Sequence, residues 1–415
     1  MHLTIRSEPI IQSLLDIDFY KFTMGQLIFL KHGKRRVTFS LTNRTRSVKL
    51  GNVIDIQRLR QELDHVRTLS LSNDEIEYLR TLSLNGVKLF RKKYLAFLST
   101  LKLGSYRLDV EKNGTLTLTF SGPWAEVTYW ETIALSILSE LYSESLCDSL
   151  TEDEKCTRIE EGKKRLDDKI AIIKGNEFIV FSDFGTRRRF SKEWQEYVVR
   201  TLAASLPTSQ FIGTSNVYLA KKYGLKAIGT NAHELSMVYA SLGNDLVATQ
   251  QELLDDWYDL YGSALSTALT DTYGSPFFFR EVFTKERAVQ WKGTRQDSGD
   301  PAEYGEQVVA LYAFYGIDAR EKLIVFSDGL DVKAMNALAK QFATRIMFVF
   351  GWGTNLTNDL GFKALSLVIK ATEADGISLV KLSDNIEKAI GDPERVEWFK
   401  QQSGYTTTFR QKCVY

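Results

Sequence analysis

The stretch FIVFSDFGTRRR, residues 178–189, runs from an apolar segment of strand length into a polar cluster and then into a helical pattern through Trp194 and Val198. The same grammar returns in FIGTSN (211–216), LKAIGTNAHE (225–234), ALTDTYGS (268–275), VQWKGTRQDSGD (289–300), LIVFSDGLD (323–331) and IMFVFGWGTN (346–355). Short apolar runs bounded by Gly, Ser, Thr and Asp are typical of strands buried on both faces. Seven such units imply a parallel sheet in an α/β protein, and rolling it into an irregular seven-stranded α/β barrel gathers the polar loops at one end. Function is expected at those loops. The echo between IVFSDFG (179–185) and IVFSDGL (324–330) follows from matching strand ends and is read as common architecture, not duplication.

Outside this region the texture differs. Strand signals dominate the first 125 residues, in Arg36–Thr42 and in a hairpin whose arms, Tyr106–Glu111 and Thr115–Phe120, flank Asn113-Gly114. That pair suits the positive φ angles of a type I′ turn. Val53–Leu82 reads mostly as helix. The charged segment from Thr151 to Ile173 carries Cys156, Ile159, Leu166, Ile170 and Ile173 on one side and spaces Glu161 and Arg165 for an i,i+4 pair, as a surface helix would. Strand signals resume in Leu367–Glu373 and Ile377–Leu382, joined through Asp375-Gly376, so the C-terminal segment is expected to rejoin the N-terminal sheet. Two domains are predicted: a mixed α+β sheet domain from residues 1–125 with 356–415, and a barrel from 126–355.

With 415 residues, 44% hydrophobic and 25% charged, the composition is that of a globular protein. Fifty-three basic and fifty-two acidic residues leave a net charge of +1, so no global field recruits nucleic acid or an anionic membrane. Any polyanion must be held by a local site. The three cysteines, Cys147, Cys156 and Cys413, have no Cys-x-x-Cys spacing, which argues against a disulfide framework or structural zinc and fits a reducing cytoplasm. No stretch approaches the roughly 18 to 20 apolar residues needed to span a bilayer, and the N-terminus lacks a signal core.

Chemistry concentrates in a few loops. RQDSGDP, Arg295–Pro301, packs a guanidinium, carboxylates, a hydroxyl and a glycine between a strand-like and a helix-like segment. Arginine forks onto phosphate oxygens, and carboxylates this dense repel one another unless ribose hydroxyls or a magnesium ion lies between them. A plainer reading is a turn that caps the helix beginning at Pro301. Among the four histidines, His2, His32, His65 and His233, only His233 occupies a strand-end loop, where an imidazole beside Glu234 can act as nucleophile or proton carrier. No second histidine lies close to it in sequence, and there is no H-E-x-x-H spacing to suggest a metalloprotease-like zinc site.

Arg187, Arg188 and Arg189 follow Asp183-Phe184-Gly185-Thr186. Phosphate contact is read for Arg187, and a solvated or salt-bridged position on the helix's outer face for the other two. Gly213-Thr214-Ser215 and Gly351-Trp352-Gly353-Thr354 are small-residue loops that let backbone N–H groups approach an anion, although neither is a P-loop and no GxGxxG opens a Rossmann unit. Tyr20, in Asp16-Ile17-Asp18-Phe19-Tyr20-Lys21, offers a ring for stacking, while Phe19, Phe22 and Phe29 read as core.

Together these motifs resemble the nicotinate phosphoribosyltransferase family over nearly the whole chain, from Leu14 to near Asp392. DIDFYKFTM, SGPWAEVTYWE (121–131), FSDFGTRRRFS (181–191), FIGTSNVYLAKKYGLKAIGTNAHE (211–234), RQDSGDP (295–301), FSDGLD (326–331) and FGWGTNLTND (350–359) stand in that family's order. The resemblance implies the irregular barrel of type II phosphoribosyltransferases joined to a mixed sheet domain, in a cytoplasmic homodimer with active sites at the subunit interface. It also implies the reaction of nicotinate with 5-phosphoribosyl 1-diphosphate (PRPP) to nicotinate mononucleotide, coupled to ATP hydrolysis, with Mg2+ as cofactor, in NAD biosynthesis.

Position by position, the resemblance makes His233 the histidine phosphorylated by ATP, with Arg295 and Asp297 completing the catalytic set. Tyr20 corresponds to a tyrosine that stacks on the pyridine ring from the partner subunit, and Phe184 to the aromatic on its other face. Arg295 would hold the nicotinate carboxylate; Arg187, Gly353 and Thr354 match phosphate-binding positions; Asp297 and Asp328 lie near the ribose. Asp271 and Asp297 are the implied magnesium ligands. Ser215 stands where nicotinamide-using relatives carry an aspartate, whose charge would repel a carboxylate, so serine favours nicotinate. Leu235 replaces a usual tryptophan, and Trp352, replacing a smaller residue, is expected to narrow the phosphate loop. The alternatives are a nicotinamide or quinolinate transferase on the same fold, or a non-catalytic sensor of phosphoribosyl diphosphate.

Overall fold

The computed structural model describes residues 8–412, which leaves His2 and Cys413 outside the described residues. Six of the seven expected strands pair in one parallel sheet, in the order Phe211–Thr214, Phe181–Asp183, Met347–Trp352, Leu323–Phe326, Gly293–Gln296, Thr267–Leu269. The seventh, around Ala227, makes a single parallel bridge to Thr214. Gly213 permits this approach: its φ is 146°, and a Cβ there would stand 2.2 Å from the Lys226 carbonyl oxygen. Beyond Ile228 the chain leaves the sheet for the helix that begins at His233, so no full ladder forms. The sheet curls enough for Val180, Ile212, Thr267, Val325 and Val349 to line one elongated cavity of about 780 Å³.

The polar clusters at the strand ends also start the helices. Ser191, Asn216, Asp300 and Asp331 each accept a backbone N–H of the following helix, satisfying donors that a helix N-terminus leaves unpaired. The capping reading of RQDSGDP holds for Asp300, which caps Pro301–Tyr315, while Arg295 and Asp297 pair with each other away from the cap.

A separate antiparallel sheet draws on both ends of the chain, in the order Ile377–Ser378, Leu367–Ala374, Arg36–Asn43, Leu116–Pro123, Tyr106–Val110. Its two hairpins differ from each other. At Asp375-Gly376 both residues take positive φ, 47° and 82°, between the paired Ala374 and Ile377, as a two-residue type I′ turn requires. Asp375 also accepts the Arg36 N–H at 2.9 Å. At Asn113-Gly114 only Gly114 is left-handed, because Glu111 already donates to the Thr115 carbonyl across a three-residue loop. The expected type I′ turn is thus a type I turn closed by one glycine. The expected Val53–Leu82 helix likewise divides, into Ile56–Thr68 and Asn73–Thr81, because Ser72 and Glu75 form a capping box that starts the second helix afresh.

Trp130–Cys147, buried on nearly every side, joins the two sheets: it packs on Leu367–Ala374 and on the turn Thr186–Arg188. Its Ser136 and Ser139 hydroxyls donate to the carbonyls of Thr186 and Arg189 at 3.0 and 2.8 Å. Arg189 is not on an outer face. It is fully buried, with both terminal nitrogens on the Asp16 carboxylate (2.6 and 2.9 Å) and Nε on Glu140 at 2.7 Å. Helix Glu152–Lys174 begins with the Thr151–Glu154 capping box and buries Ile159, Leu166, Ile170 and Ile173 as expected; Cys156 is exposed, and the charged Lys169 joins the buried face. Arg189→Met would strand two carboxylates in the interior, so the unfolding free energy from urea titration is expected to fall by about 3–5 kcal/mol. A loss below about 1 kcal/mol would mean that these groups are solvated instead.

Candidate active site

At the carboxyl ends of the parallel strands the loops surround a polar cavity of about 300 Å³. Phe184, Arg187, His233, Arg295, Asp297, Asp328, Gly353 and Thr354 all line it. His233 opens the helix His233–Tyr239 and is buried. Its Nε2 lies 2.9 Å from Asp297 Oδ2 and 3.7 Å from Asp271 Oδ1, and its Nδ1 lies 3.0 Å from the Thr272 hydroxyl. Burial, reinforced by Lys381, pushes the His233 pKa down to about 4 despite the two carboxylates, so the ring is neutral at physiological pH. Burial alone would raise Asp297, yet Arg295, His233 and Lys381 hold it well below the usual carboxylate range. An ionised Asp297 only accepts, which assigns the imidazole N–H to Nε2 and the lone pair to Nδ1, facing the Thr272 hydroxyl.

Arg295 is fixed by all three of its nitrogens: Nη2 on Asp297 Oδ1 (3.0 Å), Nε on the Ser327 hydroxyl (2.9 Å) and Nη1 on the Asn231 carbonyl (2.8 Å). It lies between the polar cavity and the apolar interior of the sheet, lining both. Asp328 pairs with Lys388 at 2.5 Å, and Lys388 also donates to the Asp297 carbonyl at 3.0 Å. Asp271 sits under His233, with Oδ2 accepting from Ser298 at 2.5 Å and Oδ1 buried without a hydrogen-bond partner. Single donor atoms of His233, Asp271 and Asp297 fall within 4.8 Å of one another. The orphaned Asp271 oxygen and its neighbour on Asp297 are hard donors of the kind Mg2+ takes.

Phe184 lies against Gly351, where a Cβ would meet its ring at 2.5 Å, so glycine makes room for the aromatic. Asp183 steadies the same turn, accepting from Gly185 N (2.7 Å), the Thr214 hydroxyl (2.7 Å) and Gln195 (2.9 Å). Tyr20 reaches this region from within its own chain. The Asp18–Asn216 bridge and the Phe19 N–H on the Ser215 carbonyl (2.7 Å) lay the N-terminal segment on the rim. That places the Tyr20 ring 5.9 Å from the Arg187 guanidinium, with its hydroxyl 3.4 Å from Glu131. The Tyr20 ring does not line the cavity of its own chain. Ser215 is buried behind Arg187 and donates to Asp18 at 2.6 Å, and Asp18 stands 3.5 Å from Arg187 Nε. Trp352 does not narrow the phosphate loop: its ring is buried beneath, edge-on to Phe181 and under the Lys169 ammonium. Leu235 is in the core.

Residues 179–407 match the model of the nicotinate phosphoribosyltransferase (NAPRTase) family, and residues 15–139 match that of the NAPRTase N-terminal domain. The chain belongs to the nicotinate phosphoribosyltransferase family. Among solved structures it is similar to a nicotinate phosphoribosyltransferase from Vibrio cholerae, with 32% identity over 96% of this chain and 95% of that one and a TM-score of 0.85. The Porphyromonas gingivalis enzyme has 31% identity over 95% of this chain and 100% of its own, TM-score 0.85. A putative nicotinate phosphoribosyltransferase from Saccharomyces cerevisiae has 31% identity over 96% and 100%, TM-score 0.84. Its parallel sheet beside a separate antiparallel sheet is the architecture of those family members. No helix among the described residues is long and apolar enough to cross a membrane.

What sequence reading of this family member missed is the basic wall of the cavity. Arg44, Lys370, Lys381 and Lys388 all line the cavity from the terminal segments. Their signal was present, since Lys370 interrupts LSLVIKATEA and Lys381 closes ISLVK, both otherwise apolar strands. Burial, then Arg187 and Lys381, push Lys370 down to about 8 against the pull of Glu131. Below that pH its ammonium adds to the cavity's attraction for anions; above it the charge is lost. Affinity for sulfate, whose own charge is constant here, is expected to fall about threefold to tenfold from about pH 7.5 to 9. In Lys370→Arg the calorimetric profile should flatten.

Proposed function

We propose that this protein joins nicotinate to PRPP, releasing diphosphate and forming nicotinate mononucleotide, with ATP hydrolysis coupled through phosphorylation of His233. The observation that carries this reading is the convergence, in a member of this family, of a neutral buried imidazole, an ionised Asp297 and a wall of lysines on one cavity. A neutral imidazole has a lone pair available for phosphorus, as an imidazolium does not. When that bond forms, the γ-phosphoryl bond to ADP breaks, and the ring proton is taken by the carboxylate it already faces. Mg2+, when bound through Asp271 and Asp297, would supply positive charge for the phosphate oxygens.

In the sugar-transfer step the C1–diphosphate bond loosens ahead of attack, so charge grows on the leaving oxygens and on an oxocarbenium-like ribose. Lys381, Lys388 and Arg44 would receive the anionic leaving group, Asp328 and Asp297 would bind ribose hydroxyls, and Gly353 and Thr354 would hold the 5-phosphate. Tyr20 and Phe184 would flank the pyridine and keep its nitrogen in line with C1. The resemblance also implies a cytoplasmic homodimer with active sites at the subunit interface, in which the Tyr20 that stacks on the pyridine comes from the second copy.

Incubating the protein with PRPP and nicotinate, nicotinamide or quinolinate, with and without ATP, and weighing the products tests substrate and coupling together. Nicotinate is expected to be the one converted, with ATP consumed. In His233→Ala, ATP hydrolysis should vanish while slow, ATP-independent nucleotide formation persists. Unchanged coupling in that variant rejects the assignment.

A further inference from the structure

Behind the Gly353–Thr354 loop, on the side away from the cavity, helix Glu152–Lys174 grips the segment that follows it. Lys169 donates to the Asn355 carbonyl and, at 2.7 Å, to the Asp359 carboxylate, while its ammonium stands 5.3 Å from the centre of the Trp352 ring. One turn earlier, Arg165 holds the same Asp359 through its carbonyl (3.0 Å) and carboxylate (3.1 Å). At Gly162 the helix comes so close that a Cβ would lie 2.2 Å from Leu360 Cδ2.

We propose that this clamp, centred on Lys169, is a positioning device that sets the affinity of the Gly353–Thr354 loop for the phosphate of the sugar substrate. A lysine on the buried face of an otherwise amphipathic helix is costly unless its charge is used, and here it is used on residues flanking a single loop. Trp352 precedes that loop and Asn355 follows Thr354, so Lys169 spans both ends of it. These two contacts set where the Gly353 backbone and the Thr354 hydroxyl point. Lys169 touches no substrate and is not catalytic. The proposal rests on Gly353 and Thr354 being the phosphate contacts of the proposed reaction.

Steady-state kinetics on the full chain separate the two ideas. Lys169→Met is expected to raise KM for PRPP about tenfold, leaving kcat and KM for nicotinate within about twofold. Lys169→Arg should recover much of the loss. Arg165→Met, which removes the outer leg at a partly exposed position, should raise the same KM about threefold and keeps the test alive if Lys169→Met fails to fold. Thr354→Val tests the underlying assignment: if it leaves KM for PRPP unchanged, the loop does not bind phosphate. If Thr354→Val weakens binding while folded Lys169→Met and Arg165→Met do not, the clamp is merely structural and the proposal falls. A parallel drop of kcat and rise of both KM values in the Lys169 variant would also overturn it.

Discussion

The bidentate pair between Arg189 and Asp16 is the constraint from which the geometry of the rim follows. It is fully buried, braced by Glu140 and, through Asn216 on Asp16 at 2.7 Å, tied to the loop after Phe211–Thr214. Arg189 ends the turn that carries Phe184 and Arg187, and Asp16 precedes the segment that carries Asp18, Tyr20 and Lys21. One ion pair therefore fixes two parts of the site relative to each other. Buried pairs are weak evidence for net stability, since desolvation offsets much of the attraction. Their use here is registry: together with the Phe19–Ser215 backbone bond, this contact brings the Tyr20 ring and the Arg187 guanidinium to the same place.

A second constraint is electrostatic. The chain as a whole is nearly neutral, yet the cavity gathers Arg44, Arg187, Arg188, Arg295, Lys370, Lys381 and Lys388 against Asp297, Asp328 and Asp331; Arg188 too is turned to the cavity and not to an outer face. Such an excess in a low-dielectric recess is maintained because the lysines lean on carboxylates: Lys370 on Glu131, Lys381 on Asp271, Lys388 on Asp328. A bound polyanion would take over part of that neutralisation. The antiparallel sheet thus has a chemical role, since three of these lysines come from the C-terminal segments it organises.

The parallel sheet was legible because every strand end repeats one signal, an apolar run closed by small polar residues, and because those polar residues serve the helix caps as well as the site. His233, Arg295 and Asp297 stood out for the same reason. Lys370 and Lys381 did not, since their importance depends on the fold bringing the C-terminal hairpin over the rim, and a lysine in an apolar strand reads locally as an edge residue. Arg189 was misplaced on an outer face because three consecutive arginines look alike until Asp16, distant in sequence, selects one of them. Tyr20 was identified through resemblance, but its place beside Arg187 of the same chain was not legible, because it depends on backbone pairing between Phe19 and Ser215 that no local pattern announces.

Ser215 acquires a different meaning in this setting. Serine in place of aspartate removes a charge that would repel a carboxylate substrate, yet the structure sets a carboxylate, Asp18, 2.6 Å from that hydroxyl. Burial raises the pKa of Asp18, and Arg187 at 3.5 Å works against that rise. Arg187 already faces Asp18 and Glu131, at 3.5 and 3.6 Å. An aspartate at position 215 would add a third anion to one guanidinium and leave nothing of its charge for a ligand. Serine keeps that balance without adding charge, and its hydroxyl orients Asp18 in place of repelling it. The effect of Ser215 is therefore on the charge balance at Arg187, which is a property of the cluster and not of Ser215 alone.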